Sequence, residues 1–411
     1  MDEALRALEQ RVRAEEPDAL RALAAWRERA GDARGAWRAR AALARVTDAA
    51  DDWRALAPPA RAPRAAVVVR DLPASEVVVA LHRGELLVRG GAEGLRLVGL
   101  DGAERWRCGL DGEGAVACGP DVLVPLRERL VLLDGGTGEV VADAPLRAGA
   151  RPGRPPGYTR RVGVSADRAV VWHWTGAGEG ARTVVAAGER WGEVLAHLPL
   201  EGHRWSAEDR AEVVAGRVVG QAPGPRPRVQ VCPVTSATAA WTAPDEHVVC
   251  ADEAGVVTLE VVTQHVAGRR LTERDLRTGA ARWTLDLPAG DARLCLAAGH
   301  VVALLERLEV RARDDGRLLW ERPLGPRPAA VQAWVVGDAL LLLDHSTPAL
   351  QTLDLASGAE RWRASLDGEA VDDVEVRWAF LHAGDGALVL ALFDDTGIWG
   401  EQRLLLIQAA T

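Results

Sequence analysis

Lysine and asparagine are absent from this chain of 411 residues, tyrosine and methionine occur once each, and phenylalanine occurs twice. Isoleucine stands only at Ile398 and Ile407, tyrosine at Tyr158, and phenylalanine at Phe380 and Phe393. Lys, Asn, Ile, Tyr and Phe all use AT-rich codons. A GC-rich coding sequence accounts for the pattern, and the 4% aromatic content is therefore no sign of disorder. These absences exclude chemistry. Without lysine there is no P-loop lysine, no kinase phosphate-binding lysine, no Schiff base and no pyridoxal phosphate attachment. Without asparagine there is no N-glycosylation site and no Cys-His-Asn protease centre. Cysteine is scarce too. The five residues Cys108, Cys118, Cys232, Cys250 and Cys295 are odd in number and form no CxxC pair. That pattern reads as reduced thiols in a cytoplasmic protein. No run approaches the roughly 18 uncharged apolar residues of a membrane span. The opening residues Met1, Asp2, Glu3 and Arg6 lack the apolar stretch of a secretory signal, which again leads us to expect a cytoplasmic location.

Every one of the 50 basic residues is arginine, set against 59 acids for a net charge of −9. Residues 1–60 hold eleven Arg and eleven acids, so the excess of acid lies in the remainder. An acidic balance argues against a broad nucleic-acid or anionic-membrane surface. Val, Leu, Ala and 15 Trp make up most of the 48% apolar fraction, which is ample for a core.

The first sixty residues read as helical. Leu5, Leu8 and Val12 recur at helical spacing, as do Leu20, Leu23 and Trp26 after Pro17 and Asp18. Ala30-Gly31-Asp32 is a helix stop, Trp37, Ala41 and Ala44 mark the next helix, and Asp48 to Leu56 a short last one. An Ala/Pro/Arg linker follows at 58–65. Trp26, Gly31, Asp32, Arg34, Gly35, Trp37 and Arg38 together make the stretch 17–43 resemble the repeat-companion domain, a short helical module of bacterial proteins. The resemblance implies attachment to a repeat protein and no activity of its own. A generic helical hairpin is the alternative.

From residue 66 onward the chain repeats. Leu353-Asp354-Leu355-Ala356-Ser357-Gly358-Ala359-Glu360-Arg361-Trp362 is echoed by Asp275-Leu276-Arg277-Thr278-Gly279-Ala280-Ala281-Arg282-Trp283. Both read Asp, Gly four places on, Trp four places further. Arg313 to Trp320 keeps the Gly-to-Trp half, Leu100 to Trp106 is a shortened copy, and Leu133 to Gly138 lacks the Trp. Weaker copies end at Trp191 and Trp241. The Trp or Trp-equivalent positions 106, 142, 191, 241, 283, 320 and 362 recur at the period of a propeller blade. In each, a β-branched strand ends at Leu-Asp, Gly supplies a positive φ, and the next strand opens with Trp. Four-stranded units of this kind bury their faces by stacking radially.

This pattern resembles the PQQ-like β-propeller repeat, in which the Trp docks each blade on its neighbour. The resemblance implies a mainly β fold of eight blades, or alternatively seven, over residues 66–411, behind a small helical module at 1–57. Seven motif copies, a tail without a closing Trp and an unmatched strand at 66–70 favour eight blades, with that strand closing the ring on the C-terminal blade. Motif tryptophans 106, 283, 320 and 362 are expected between blades, and Trp172 and Trp174 in the core.

The same resemblance raises a quinoprotein dehydrogenase holding PQQ and Ca²⁺. Those enzymes use an Asn among the calcium ligands and commonly a disulfide between adjacent cysteines; this chain has no Asn and no adjacent Cys pair. No cofactor is expected. The nine His form no HxH or HExxH, and Asp245-Glu246-His247 is a lone cluster, so no metal site is expected either. Gly163-Val164-Ser165-Ala166-Asp167 lacks the second Gly of a nucleophile elbow.

Two features carry recognition instead. The stretch 147–161 holds Arg147, Arg151, Arg154, Arg160, Arg161 and Tyr158, with no acid. Arginine pairs bidentately with carboxylate or phosphate, and Arg with Tyr is common at interface hot spots. Its alternative is a solvated inter-blade linker. Trp399, between Gly397 and Gly400 in an acidic turn, is either an exposed anchor or buried against a blade. The expected function is a non-catalytic cytoplasmic bacterial scaffold that binds another protein through propeller loops, with no membrane; a nucleic-acid contact through the Arg-rich loop is a third reading, which the acidic balance disfavours. A sensor or enzyme holding a small ligand in the central channel is the alternative.

Overall fold

The structure is a computed structural model. It describes residues 16–56, 63–72, 76–90, 93–112, 114–126, 129–145, 158–165, 168–174, 180–186, 191, 193–200, 211–222, 227–236, 238–261, 268–288, 293–297, 299–324, 331–344, 349–365, 378–384, 387–393 and 402–409, with 8, 11, 12 and 14 near the start.

Helix α1 (Pro17–Arg29) begins where Pro17 needs no N–H partner, and Gly31, at φ +76°, ends it. Helix α2 (Ala33–Thr47) starts on Asp32, whose carboxylate accepts from the Gly35 N–H at 2.8 Å. A Cβ on Gly35 would collide with that carboxylate, so the cap requires glycine there. The two helices bury small residues (Ala19, Ala24, Ala36, Ala39, Ala41 and Ala44), and alanine lets them approach closely. Trp26, read as part of the apolar face, is instead 39% exposed, with the Arg27 guanidinium over its ring. The last helix, α3, is shorter than expected, at Ala50–Arg54.

Among the described residues the rest is β-structure, in strands numbered from β1 (Pro63–Leu72) to β32 (Gln402–Ala409). They form eight antiparallel four-stranded sheets. Seven take four consecutive strands in order. The eighth has the order β1-β32-β31-β30, with β30 at Trp378–Gly384 and β31 at Ala387–Phe393. In it Val67, Val68 and Val69 pair with Ile407, Leu406 and Leu405. Strand β1 reaches back to Pro63, inside the stretch read as linker.

By contacts the chain divides into two units. One comprises 1–58, 110–255 and 276–279; the other comprises 59–109, 256–275 and 280–411. In the second unit a core of Leu72, Val78, Leu81, Leu86, Val88, Val98, Val389 and Ala391 packs the closing sheet onto the strands that follow β1. In the first, Leu123, Leu130 and Leu132 pack on Ala169, Val171 and Val185 of the next sheet, with Trp37 of α2 against the same cluster.

The Asp-Gly-Trp motif explains how neighbouring sheets are joined. Trp241 Nε1 donates to the Leu276 carbonyl at 2.9 Å, Trp283 Nε1 to that of Arg313 at 2.7 Å, and Trp320 Nε1 to that of Leu355 at 2.8 Å. In each case the ring lies on the following motif's glycine. A Cβ on Gly279, Gly316 or Gly358 would meet the Trp241, Trp283 or Trp320 ring at 2.6, 2.9 or 2.8 Å. Their φ values of +72°, +72° and +71° add a backbone preference for glycine to the steric one. The motif Asp accepts the N–H groups of its own turn, as Asp354 does from Ser357 at 2.8 Å.

Two expectations need correction. Trp106 and Trp283 are buried at 7% and 8% exposure, but Trp320 and Trp362 are only half-buried. Trp191 is no motif tryptophan. It stands in a turn before β13 (Val194–Leu200), and the residue in register with the other tryptophans is Ala196, opposite Val184. The Trp172 and Trp174 side chains lie outside the described ones.

Candidate functional site: the helix-covered sheet face

The helices rest on one end of the sheets in the first unit, and the Gly-Asp-x-Arg-Gly turn between α1 and α2 makes the contact. Asp32 and Gly35 shape the turn so that Arg34 projects onto the sheet β6–β9, whose strands are β6 (Val116–Cys118), β7 (Asp121–Pro125), β8 (Arg129–Asp134) and β9 (Val140–Pro145). Arg34 Nη2 lies 2.5 Å from Asp121 and 2.9 Å from Asp134, and its Nε lies 3.0 Å from Asp121. Hydrogen bonding to Asp121 raises its pKa.

Asp134 is available because the repeat has lost its own partner for it. Asp354 binds Arg361 at 2.6 Å and Asp275 binds Arg282 at 3.0 Å, each seven places on. Seven places after Asp134 stands Val141, which is exposed. One turn along, the Trp37 ring covers Gly119 (φ +58°) so closely that a Cβ there would lie 2.5 Å from it. The motif residues Gly31, Asp32, Arg34, Gly35 and Trp37 therefore all serve this one docking.

A second anchor closes α2. Asp48 caps it in the left-handed conformation (φ 49°), and its carboxylate receives Arg217 Nη2 at 2.7 Å, Arg277 Nε at 3.1 Å and Trp53 Nε1 at 3.2 Å. Arg277 also donates to the Asp48 carbonyl. The Trp53 ring lies over Gly216 in the turn before β15 (Arg217–Ala222). Burial pushes the Asp48 carboxyl up, but the hydrogen bond and charge of Arg217, then Arg277 and Trp53, outweigh it and hold the pKa below 3.8. A depressed carboxylate contributes its stability above the unfolded value and loses it as pH falls through the folded one. Helix docking should therefore weaken only below about pH 4. Tryptophan fluorescence against pH should show an acid step that Asp48→Asn diminishes, the rest belonging to the carboxylates around Arg34; an unchanged step in that variant would refute the anchor.

All these contacts use turns between the first and second or the third and fourth strands of a sheet, which share one end in an up-and-down sheet. Strand β9 ends, and β10 (Tyr158–Ser165) begins, at the other end. The Arg-rich stretch connects those two ends. Arg147, Arg151 and Arg154 lie outside the described residues, as does Trp399. Tyr158, Arg160 and Arg161, read as part of the loop, instead belong to β10. Tyr158 pairs with Trp174 and Arg161 with Trp172, with a bulge between Thr159 and Arg161. Three of the six expected recognition residues of the stretch 147–161 therefore stand in a strand.

Other candidates resolve simply. Glu246 and His247 are consecutive strand residues of β18 (Glu246–Ala251), whose side chains alternate across the sheet, and Asp245 turns the chain at φ 61°. No group of three or more His, Cys, Asp or Glu among the described residues is placed to hold a metal ion. The five cysteines are free, and burial pushes the Cys118 and Cys295 thiols up to about 12, away from nucleophilic chemistry. No helix among the described residues is long and apolar enough to cross a membrane.

Sequential four-stranded sheets, joined by Trp-on-Gly docking and closed by the first strand on the last, define a β-propeller, and a helical module rests on sheet ends of the first unit. A quinohemoprotein alcohol dehydrogenase from Pseudomonas putida HK5 shares the fold at TM-score 0.50 and 11% identity, over 83% of this chain and 75% of that one. BamB from Moraxella catarrhalis (TM-score 0.47, 15% identity, 83% and 100% covered) and the Dos1 propeller (0.48, 12%, 85% and 94%) were also found. No protein-family model and no curated protein matches the chain. Likeness at this identity concerns the fold. The chain contains no asparagine, and its five cysteines are separate free thiols.

Proposed function

We propose that the protein is a non-catalytic bacterial scaffold of the cytoplasm. It binds another protein through the sheet ends opposite the helices in the first unit. The observation that carries this reading is the way the helical module occupies the other ends. Arg34 and Asp48 engage four charged groups of the sheets, and Trp37 and Trp53 cover two glycine turns. An array with one face spent on an internal partner presents its remaining loops to an external one. Those loops include the acid-free stretch with Arg147, Arg151 and Arg154, which leads into Tyr158, Arg160 and Arg161 of β10, on a chain whose net charge is −9. The partner surface is accordingly acidic.

Because Arg160 and Arg161 lie in a strand, the informative variant changes only Arg147, Arg151 and Arg154 to Ser. Surface substitutions of this kind move stability by no more than about 0.5 kcal/mol. Affinity purification from the native host, with wild type and variant at two salt concentrations, reads the result. A stoichiometric acidic protein should accompany the wild type, leave more readily in high salt, and be lost from the variant. Equal recovery by both would overturn the assignment of the loop.

A further inference from the structure

Strand register singles out one residue. In the third strand of seven sheets, one residue faces the motif tryptophan or its equivalent, and the residue two places earlier points the same way into the core. That earlier place holds Leu95, Leu130, Val229, Leu271, Leu308 and Leu350, each 0% exposed. In β12 (Gly180–Ala186) it holds Arg182, which is 4% exposed. An arginine has taken the place of a core aliphatic residue.

A buried charge is costly unless it is paired. Elsewhere in the array this rule is obeyed: Glu273, 0% exposed, receives Arg313 Nε at 2.5 Å and Arg282 Nη1 at 3.1 Å. Arg182 differs. Among the described residues its guanidinium meets the Ser236 carbonyl, to which Nη2 donates, and the Cys232 thiol, and no carboxylate. Its Nε is buried without a hydrogen-bond partner. Burial lowers its pKa from the ordinary arginine value, and only Cys232 opposes that shift. The guanidinium reaches from β12 to the turn after β16 (Arg228–Pro233), where Thr235 and Thr238 are exposed hydroxyl residues beside Ser236.

We infer that Arg182 is the buried cation of an oxyanion site between the β10–β13 sheet and the sheet that runs from β14 (Ala211–Val214) to β17 (Trp241–Pro244). The site takes the carboxylate or phosphate group of a small ligand entering at the Thr235–Thr238 turn. An oxyanion supplies the missing charge, accepts from the free Nε–H, and finds further donors in the hydroxyls of the turn. The chemistry differs from that of the Arg-rich loop and stands without it.

Thermal unfolding tests the site, with sodium phosphate or sodium acetate titrated against sodium chloride at constant ionic strength. The wild-type midpoint should rise saturably with one of the two anions, and which one distinguishes a phosphate from a carboxylate site. Arg182→Leu restores the residue type of the other sheets. It should unfold at a higher midpoint than wild type in chloride and lose the saturable response. Phosphorus NMR of inorganic phosphate, or proton NMR of acetate, with wild-type protein gives a readout that needs no variant: line broadening should appear with the anion that stabilises. Three results would overturn the site. They are the absence of any anion response in the wild type, an equal response in Arg182→Leu, or a midpoint for that variant below wild type in chloride, which would make Arg182 a structural tie to Ser236.

Discussion

Trp283→Ala is expected to remove about 3–5 kcal/mol of folding stability, the range for truncating a large buried aromatic residue. Trp283 is 8% exposed, donates its indole N–H to the Arg313 carbonyl at 2.7 Å, and lies on Gly316. The substitution opens a cavity between two sheets and strands that carbonyl. Trp283→Phe keeps much of the apolar contact and should cost less, with the lost hydrogen bond contributing about 1 kcal/mol. Gly316→Ala attacks the same joint from the other side. Its Cβ would lie 2.9 Å from the ring, at φ +72°. Urea unfolding measures all three, and a midpoint unchanged by Trp283→Ala would refute the Trp-on-Gly joint.

Arg34→Met should cost about 3 kcal/mol, because it leaves the Asp121 carboxylate buried without its partner. The Asp121 side chain is 6% exposed, whereas Arg34 keeps 32% of its own surface, which places the effect at the low end for a broken buried pair. The loss should be local. Limited proteolysis should release the helices while the sheets persist. Adding Asp121→Leu to Arg34→Met should recover part of the stability, since removing both charges removes the stranded one. Equal protease resistance in Arg34→Met and wild type would show that the helices are held by other means.

The joints between sheets were legible in the sequence because both halves of each joint recur: every full motif copy carries a Gly and a Trp, and the Trp of one copy lies on the Gly of the next. Glycine at a fixed distance from Asp and Trp is a local pattern, although the indole that covers it comes from the preceding copy. Trp191 misled because the motif was followed by residue type through a degraded copy. Only the pairing of Val184 with Ala196 reveals the true register. The closing strand was visible as an apolar run, but its start at Pro63 was hidden by the Pro and Arg around it.

The candidate sites were less legible. Arg34 belonged to a recognised motif, yet its partners Asp121 and Asp134 lie about a hundred residues away, and no local spacing announces such a pair. The missing arginine at Val141 was a signal in the sequence that comparing copies could have found. Arg182 sat in an apolar strand as one charge among many, and only the alignment of the strands shows that it stands where leucine does. The Arg-rich stretch drew attention by composition alone, which does not tell loop from strand at Tyr158.

The central claim, that the helices occupy one face and leave the opposite loops to a partner, is tested most directly by hydrogen exchange of the purified chain with and without the protein that accompanies it. The account predicts new protection in and around 146–157, with no change at the helix-covered turns around Gly119 and Gly216, which should already be protected in the free chain. Protection confined to those turns or to the helices, or no stoichiometric partner to add, would contradict it.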